Sequence, residues 1–265
     1  MKKTLLSIFS IMTLAMGFTA CNKDAKEENF GFTASMEAVS DQEAKTVLDG
    51  IHVNWEANDQ IIIYGTAGCG VFTAIPHGDN QTIADLTNGT ANPGDATYYA
   101  FYPVSIATDS IHMTLPAVQV SEDGQLTEFP MYAMSSTNNL TFKNLCGALK
   151  LNLTKANTSI QAIEITVAHP INGDYTVRIN GVAPSMRYDG NGSNTTTLSL
   201  TTAQDITDGH EFYIAMPHAS YEGMTITLID KDGNECVKTL KAGKTVTIGR
   251  SQVTTINLGE NDIVF

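Results

Sequence analysis

The sequence predicts an all-β protein made of antiparallel β-sandwiches, and three observations support this fold class. Apolar residues alternate with polar or small residues over short segments, which is the period of a strand with one buried face. Clusters of Gly, Asn, Asp and Pro separate these segments, and threonine is frequent within them. No window has the apolar spacing of an amphipathic helix of ordinary length. Short strands between turns favour antiparallel sandwiches over parallel sheets.

The first strand is predicted where Phe30, Phe32, Ala34 and Met36 alternate with small or polar residues. Side chains at every second position share one face of a strand, so these four should face a core together. The run of residues 61–64 is apolar without alternation, which predicts a strand buried on both faces.

The remaining strands are predicted from the same alternation. In the first half they lie at residues 98–102 and 111–115. In the second half they lie at residues 149–153, 163–167, 212–216, 224–228 and 236–240, and the set ends with Val246, Ile248, Val253, Ile256 and Leu258.

Two polar stretches are candidates for a domain boundary. Residues 135–139 lie near the middle of the chain, and a cut there leaves two parts of ordinary domain size. Residues 189–194 are better explained as one long flexible loop. We therefore predict one β-sandwich domain over residues 30–138 and a second over residues 139–265.

The first 20 residues have the pattern of a bacterial signal peptide. Lys2 and Lys3 precede an apolar run that is too short to span a bilayer as a helix. Small residues followed directly by Cys21 resemble a lipobox, in which the cysteine thiol carries the lipid. We predict cleavage before Cys21, attachment of lipid such as palmitate to Cys21, and a flexible charged tether over residues 21–29. The expected location is the cell outer membrane, held by this lipid anchor and exposed at the surface.

Charge and cysteine content restrict the other function classes. The formal net charge of -13 disfavours nucleic acid as a partner, because binding to phosphates requires a basic surface. Besides Cys21, the chain has Cys69, Cys146 and Cys236, which allow at most one disulfide. Buried free thiols are the favoured interpretation, with one bridge as the alternative.

Local motifs for catalysis and metal binding are absent from the sequence. It contains neither H-E-x-x-H nor G-x-S-x-G, and its histidines are not paired at ligand spacing. Asp230, Asp232 and Asn234 imitate half of a calcium loop, but Lys241 stands where the bidentate Glu belongs, so we predict a turn. No enzyme activity, cofactor or metal site is predicted.

Aromatic residues allow two interpretations. They could stack on sugars, or they could fill a sandwich core, and the core is favoured because aromatic burial dominates packing. The candidates for stacking are Trp55, Tyr98, Tyr99, Phe101 and Tyr102, and of these Tyr98, Phe101 and Tyr102 also fit the core.

Five motifs in order along the chain resemble those of fimbrillin-like proteins, a family of surface lipoproteins of Gram-negative anaerobes. They are W-x-x-x-D-x-I from Trp55, Y-x-A-x-Y-P from Tyr98, L-P-x-x-Q from Leu115, F-x-N-L-x-G-x-L-K from Phe142, and the closing strand that begins at Arg250. The resemblance implies two transthyretin-like β-sandwich domains and a role as a pilus (fimbrial) subunit, anchor, tip or accessory adhesin. The fimbrium is then a second expected location.

The family also implies assembly by strand exchange. A protease cuts polymerising members after the first strand, usually at arginine, and a strand from another subunit then fills the groove. Here that strand is the one containing Phe30, Phe32, Ala34 and Met36, and no arginine precedes Arg178. Lys45 is the candidate processing site. Other fimbrial subunits, host ligands and glycans are the expected partners, and a surface glycan-binding lipoprotein that does not polymerise is the alternative.

Overall fold

The all-β prediction is confirmed by the structure, a computed structural model that describes residues 30–37, 54–78, 80–180, 183–241 and 243–265. These residues form β-strands and one short 3-10 helix at Val104–Ile106, with no α-helix among them. In chain order the strands are β1 (Phe32–Met36), β2 (Gln60–Gly65), β3 (Gly68–His77), β4 (Asn80–Thr87), β5 (Tyr98–Tyr102), β6 (His112–Leu115), β7 (Val118–Glu122), β8 (Gln125–Leu126), β9 (Met131–Ser135), β10 (Asn139–Asn144), β11 (Gly147–Leu153), β12 (Ser159–Thr166), β13 (Gly173–Asn180), β14 (Ala183–Gly190), β15 (Thr195–Asp205), β16 (His210–Met216), β17 (Ala219–Glu222), β18 (Thr225–Asp230), β19 (Glu235–Thr239), β20 (Thr245–Ile248) and β21 (Val253–Leu258).

Seven strands form a closed ring, which we call the ring. Its order is β1, β10, β9, β5, β2, β3 and β4, and β4 pairs again with β1. The sequence predicts an antiparallel β-sandwich for this part of the chain. Its strands close into a ring because β1 has hydrogen-bonded neighbours on both sides, so no free edge remains.

Two further sheets pack face to face, and we call this region the sandwich. One sheet has the order β16, β11, β21, and the other has the order β19, β18, β12, β15, β7, β8. Leu149 and Leu151 of the first sheet and Ile163 and Ile165 of the second lie in one buried cluster. Most strand pairs are antiparallel, as predicted, but β1 with β10, β11 with β21, and β15 with β7 are parallel.

A third cluster of buried side chains lies between the ring and the sandwich. It includes Ile62 from the ring and Tyr213 from the outer face of β16, together with Met113 and Tyr175 from the small sheet β14, β13, β6. Ile61 and Ile63, on either side of Ile62, belong to the ring core. The prediction that this strand is buried on both faces is therefore confirmed.

Residues 112–126 lie between two ring strands in sequence but pair outside the ring. β6 pairs with β13, and β7 pairs with β15. The buried side-chain amide of Gln119 donates to the carbonyl oxygen of Ala215 and accepts from its N–H, both at 2.8 Å. The Gln119 side chain thus forms the two hydrogen bonds with Ala215 that the backbone of a neighbouring strand would form. The predicted boundary after residue 138 falls between the paired ring strands β9 and β10, and the division into two domains stays a prediction.

The loop predicted at residues 189–194 is shorter than predicted. Asp189 and Gly190 belong to β14, so only residues 191–194 connect β14 to β15. Hydrogen bonds hold this connection: the N–H of Ser193 donates to Asn172 Oδ1 at 2.8 Å, and the N–H of Gly192 donates to the Tyr188 hydroxyl at 3.0 Å. None of the described residues forms a helix that is long and apolar enough to cross a membrane.

Candidate functional site

Strand β1 closes the ring by pairing with a different strand on each side. It runs parallel to β10, from Thr33 opposite Asn139 to Met36 opposite Phe142. On its other side it runs antiparallel to β4. Removal of β1 would therefore leave two unpaired strand edges and a gap in the ring, which we call the β1 groove.

The side chains predicted to fill this groove do face the ring core together. Phe32 and Ala34 are buried, and Phe30 and Met36 are partly buried against the same cluster. The Phe32 ring meets those of Phe72 and Tyr98 edge-on, with centroids 5.3 and 4.9 Å apart. Burial of a large apolar side chain stabilises a fold by about 1.5–3 kcal/mol, so β1 contributes to the ring through packing as well as through backbone bonds.

Residues of three family-like motifs meet inside the ring. The Trp55 ring lies edge-on to those of Tyr102 and Phe142, with centroids 5.3 and 5.1 Å apart. The Tyr102 hydroxyl donates to Asp59 Oδ1 at 2.9 Å. Trp55, Tyr98, Phe101 and Tyr102 are buried. The core interpretation of Tyr98, Phe101 and Tyr102 is therefore confirmed. Trp55 is buried as well, and Tyr99 is partly exposed.

Burial also changes the acidity of Asp59. Desolvation raises the pKa of this carboxyl, although hydrogen bonds from the Glu56 N–H and the Tyr102 hydroxyl act in the opposite direction. The Glu56 N–H and the Tyr102 hydroxyl both donate to this carboxylate, which gives Asp59 a structural role directly before β2.

The carboxylate of Glu37, directly after β1, is held by residues from distant parts of the chain. Its Oε1 accepts from Arg250 Nη1 at 2.5 Å, from the Ser251 hydroxyl at 3.0 Å and from the N–H of Asn144 at 3.1 Å. We call these three donors the Glu37 clamp. Arg250 Nη1 also donates to the carbonyl oxygen of Asn144 at 3.1 Å. The clamp therefore joins the end of β1 both to the ring and to the turn between β20 and β21.

The turn that carries the clamp has an unusual backbone. Ser251 has a φ of 57°, in the left-handed region that residues other than glycine rarely adopt. Its N–H donates to the carbonyl oxygen of Cys146 at 3.0 Å, and the N–H of Gln252 donates to that of Gly249 at 3.1 Å. A side chain at Gly147 would overlap the carbonyl oxygen of Gly249. Close backbone packing thus fixes the turn that positions the Ser251 hydroxyl.

Sequence reasoning identified the motifs but missed the clamp. Arg250 was placed in a closing strand, and Glu37 received no role, because 213 residues separate the two. A usable signal is the scarcity of arginine: the chain has only Arg178, Arg187 and Arg250. A half-buried arginine in such an acidic chain calls for a carboxylate partner.

The other two arginines line a concave surface with a volume of about 500 Å³. It lies between the outer face of the ring, at Tyr99 and Met134, and the hairpin formed by β13 and β14. Arg187 Nη2 binds Asp189 at 2.8 Å and Thr176 Oγ1 at 3.2 Å. Arg178 is exposed and forms no ion pair with any of the described residues. We call this surface the arginine pocket.

The structure also bears on the cysteines and on the predicted turn at residues 230–234, whereas two predicted sites fall outside the residues it describes. Cys21 and Lys45 lie outside the described residues, so their roles stay predictions. Cys146 and Cys236 are free and buried, as favoured, but the free-thiol interpretation is wrong for Cys69, which is disulfide-bonded. Asp230 Oδ1 accepts from the N–H groups of Asp232 and Asn234 at 2.8 Å, which confirms a turn. Within the described ranges, no group of three or more His, Cys, Asp or Glu residues could hold a metal ion.

No protein-family model matches this sequence, and no curated protein matches it. Among solved structures, the fold is similar to that of a protein from Bacteroides ovatus ATCC 8483 that is provisionally described as a cell adhesion protein. The TM-score is 0.52 at 10% identity, over 91% of this chain and 95% of that chain. A protein from Bacteroides uniformis ATCC 8492 with the same provisional description has a TM-score of 0.44 at 20% identity, over 80% of this chain and 90% of that chain. The likeness to the B. ovatus structure agrees in fold with the fimbrillin-like resemblance of the sequence.

Proposed function

We propose that this chain is a cell-surface lipoprotein that acts as a fimbrial subunit, anchor or accessory adhesin. The observation that carries the proposal is β1, a short strand beside the predicted tether that closes the ring between two partners. Its pairing with strands on both sides is the geometry that strand addition needs. The adhesion role described for the B. ovatus protein of similar fold supports the same class of function.

The membrane anchor in this proposal is the lipid on Cys21. Cys21→Ala should release the protein from the membrane fraction, because the thiol is the only proposed lipid attachment site. The measurement is membrane fractionation together with labelling by a palmitate analogue. Unchanged fractionation with no loss of label would contradict the anchor.

Assembly in this proposal begins with a cut near Lys45. Loss of the covalent link to β1 would let β1 leave, exposing the β1 groove and the edges of β4 and β10. Unpaired edges readily accept another strand. A fimbrial subunit should therefore change from monomer to multimer, whereas an anchor or stand-alone adhesin should remain a monomer.

The test is limited proteolysis by a lysine-specific enzyme, followed by size-exclusion chromatography and mass determination of the fragments. Lys45→Ala is the matched control, because it removes this cut and retains the other lysines. Multimers that form from the wild type and not from Lys45→Ala support the subunit role. A clean cut at Lys45 that leaves a stable monomer restricts the proposal to an anchor or adhesin, and the missing arginine before Arg178 favours that result.

Glycan binding is a second candidate function, favoured by the arginine pocket. Arg178 offers an unpaired guanidinium, which suits a carboxylate, and Tyr99 and Met134 offer partly apolar surface against which a sugar ring could pack. A carboxylate-bearing saccharide is the ligand with this chemistry. Arg178→Gln should abolish binding on an array of acidic glycans, whereas Lys231→Gln, an equal charge change in a turn, should not. Equal binding by both variants would contradict this candidate.

A further inference from the structure

We propose that the Glu37 clamp is a carboxylate-recognition site at the end of the β1 groove. The clamp holds β1 in register. It also selects which strands enter the groove, because it favours those that carry a glutamate directly after their last inward-facing side chain. The part that concerns an incoming strand rests on the proposed function. The part that concerns β1 itself rests only on the contacts of Glu37.

The clamp matches a carboxylate because all three of its groups donate hydrogen bonds to one oxygen. Bonds in which the partners are charged are shorter and stronger than neutral ones. The carboxylate of Glu37 and the guanidinium of Arg250 are each little more than one-fifth exposed, which limits screening by water. A glutamine at this position keeps an acceptor oxygen but lacks the charge, and a lysine would place a cation against Arg250.

Two of the three clamp donors lie in a turn that makes no strand pairing with β1, whereas the third, Asn144, lies on β10. Ser251 and Arg250 belong to the turn between β20 and β21, which is held by the carbonyl oxygens of Cys146 and Gly249. The left-handed backbone of Ser251 is maintained by this packing and points the hydroxyl toward Glu37. A site formed in advance loses little conformational freedom when a strand binds.

The clamp also resolves an ambiguity in strand register. Backbone hydrogen bonds repeat along a strand, so a shift of two residues would keep the same face of β1 inward. Only the native register places a carboxylate beside Arg250, one residue after Met36 faces the core. The partner that fits the groove is therefore an extended strand with alternating apolar side chains, followed at once by glutamate.

The test begins with hydrogen exchange of the β1 amides in the full-length monomer. Glu37→Gln and Arg250→Ala should each speed exchange in β1 by about tenfold or more, since a hydrogen bond to a charged group is lost. The double variant should add little to the larger single effect, because both changes remove one interaction. Glu260→Gln is the matched control, since Glu260 likewise binds a lysine, Lys155, and a backbone N–H, that of Ala156, each at 3.0 Å.

Selection is then tested with a labelled synthetic peptide that has the sequence of residues 30–39. The peptide, which contains no lysine, is added in excess to the full chain during limited cleavage at Lys45 and compared with the same peptide carrying Gln in place of Glu37. The wild-type chain should incorporate the Glu peptide about tenfold more than the Gln peptide, and Arg250→Ala should show no preference. Unchanged exchange in β1 for both clamp variants would overturn the clamp, and equal incorporation of the two peptides would overturn selection.

The outcomes separate this inference from the proposed function. If the β1 amides respond but neither peptide enters, strand exchange is contradicted and the clamp remains as a holder of β1. If cutting at Lys45 yields multimers but the β1 amides do not respond, the proposed function stands and the clamp is wrong.

Discussion

The ring and the sandwich each bury an apolar core, but they differ in the side chains of that core and in the position of their terminal strands. The ring core is rich in aromatic side chains, whereas the sandwich core consists mainly of leucine and isoleucine. β1 lies between two strands of the ring, while β21, the last strand of the chain, lies at the edge of its sheet. Both run parallel to one partner, β10 and β11 respectively. Loss of β21 would thus expose one strand edge, but loss of β1 would expose two. The integrity of the ring depends on a single five-residue strand.

The largest expected effect comes from Phe32→Ala. Truncation of a buried phenylalanine typically costs about 3–5 kcal/mol of unfolding free energy, and Phe32 is packed against Phe72 and Tyr98. Leu258→Ala on β21 is the matched control, with an expected cost of about 2–5 kcal/mol. Denaturant unfolding gives both costs.

Hydrogen exchange in the same two variants tests whether β1 supports two neighbouring strands and β21 only one. Phe32→Ala should speed exchange in β4 and β10 alike, whereas Leu258→Ala should affect β11 alone. If Phe32→Ala loosened only one of its neighbours, the ring would not depend on β1 in the way described.

A smaller effect is expected where the ring continues into the sandwich. Gly147→Ala would push a methyl group against the carbonyl oxygen of Gly249 and displace the turn that carries Arg250. Overpacking of this kind costs about 1–3 kcal/mol. Gly259→Ala is the control, because a methyl group there meets no heavy atom within 4 Å. Its effect should stay within about 0.5 kcal/mol. Equal stability of the two variants would show that the turn can move freely.

The smallest expected effect is an opposite response of the two regions to acid. Burial raises the pKa of Asp59 in the ring, so the folded ring binds this proton more readily than the unfolded chain and loses stability as the pH rises through that pKa. In the sandwich, the hydrogen bond from Lys150 lowers the pKa of Glu211, and the bonds from the Ala156 N–H and Lys155 lower that of Glu260. Their contribution is present above the ordinary carboxyl pKa and is lost as the pH falls through the lowered values.

Exchange measured at pH values between about 7 and 3, corrected for intrinsic rates, should therefore show the sandwich loosening first on the acid side. Glu260→Gln should reduce this loss in the sandwich and leave the ring unchanged. A parallel response of the two regions would contradict the assignment of opposite pKa shifts.

Local patterns predicted much of the fold because strands with one buried face show it in their own residues. The segments around Leu149, Ile163, Phe212 and Ile226 all lie in strands close to their predicted bounds. The strands β4, β13 and β14, which are rich in polar residues, were not predicted, because their hydrogen bonds are made by a backbone that any residue supplies. Pairing across long separations, such as Ala34 with Leu140, leaves no local trace either.

The candidate site could be predicted only in part, for the same reason. The alternation that contains Phe30, Phe32, Ala34 and Met36 correctly identified the inward face of β1. The motif around Trp55 and that around Tyr102 were recognised, but their contact inside one core needed the structure. The clamp could not be found, since Glu37 and Arg250 are each unremarkable in sequence and gain their role from proximity alone.

The parallel pairing of β1 with β10 has a mechanical consequence for a protein tethered at Cys21, as proposed. A pull from the membrane would act on the N-terminal end of β1, while the rest of the molecule would hold β10 from its C-terminal end. In a parallel pair these two ends lie at opposite ends of the ladder, so the load is shared by all its hydrogen bonds at once rather than broken one bond at a time. The Glu37 carboxylate lies at the far end of β1 and would resist its withdrawal. β1, the strand that we propose is exchanged after cutting, would thus bear tension while the chain is intact.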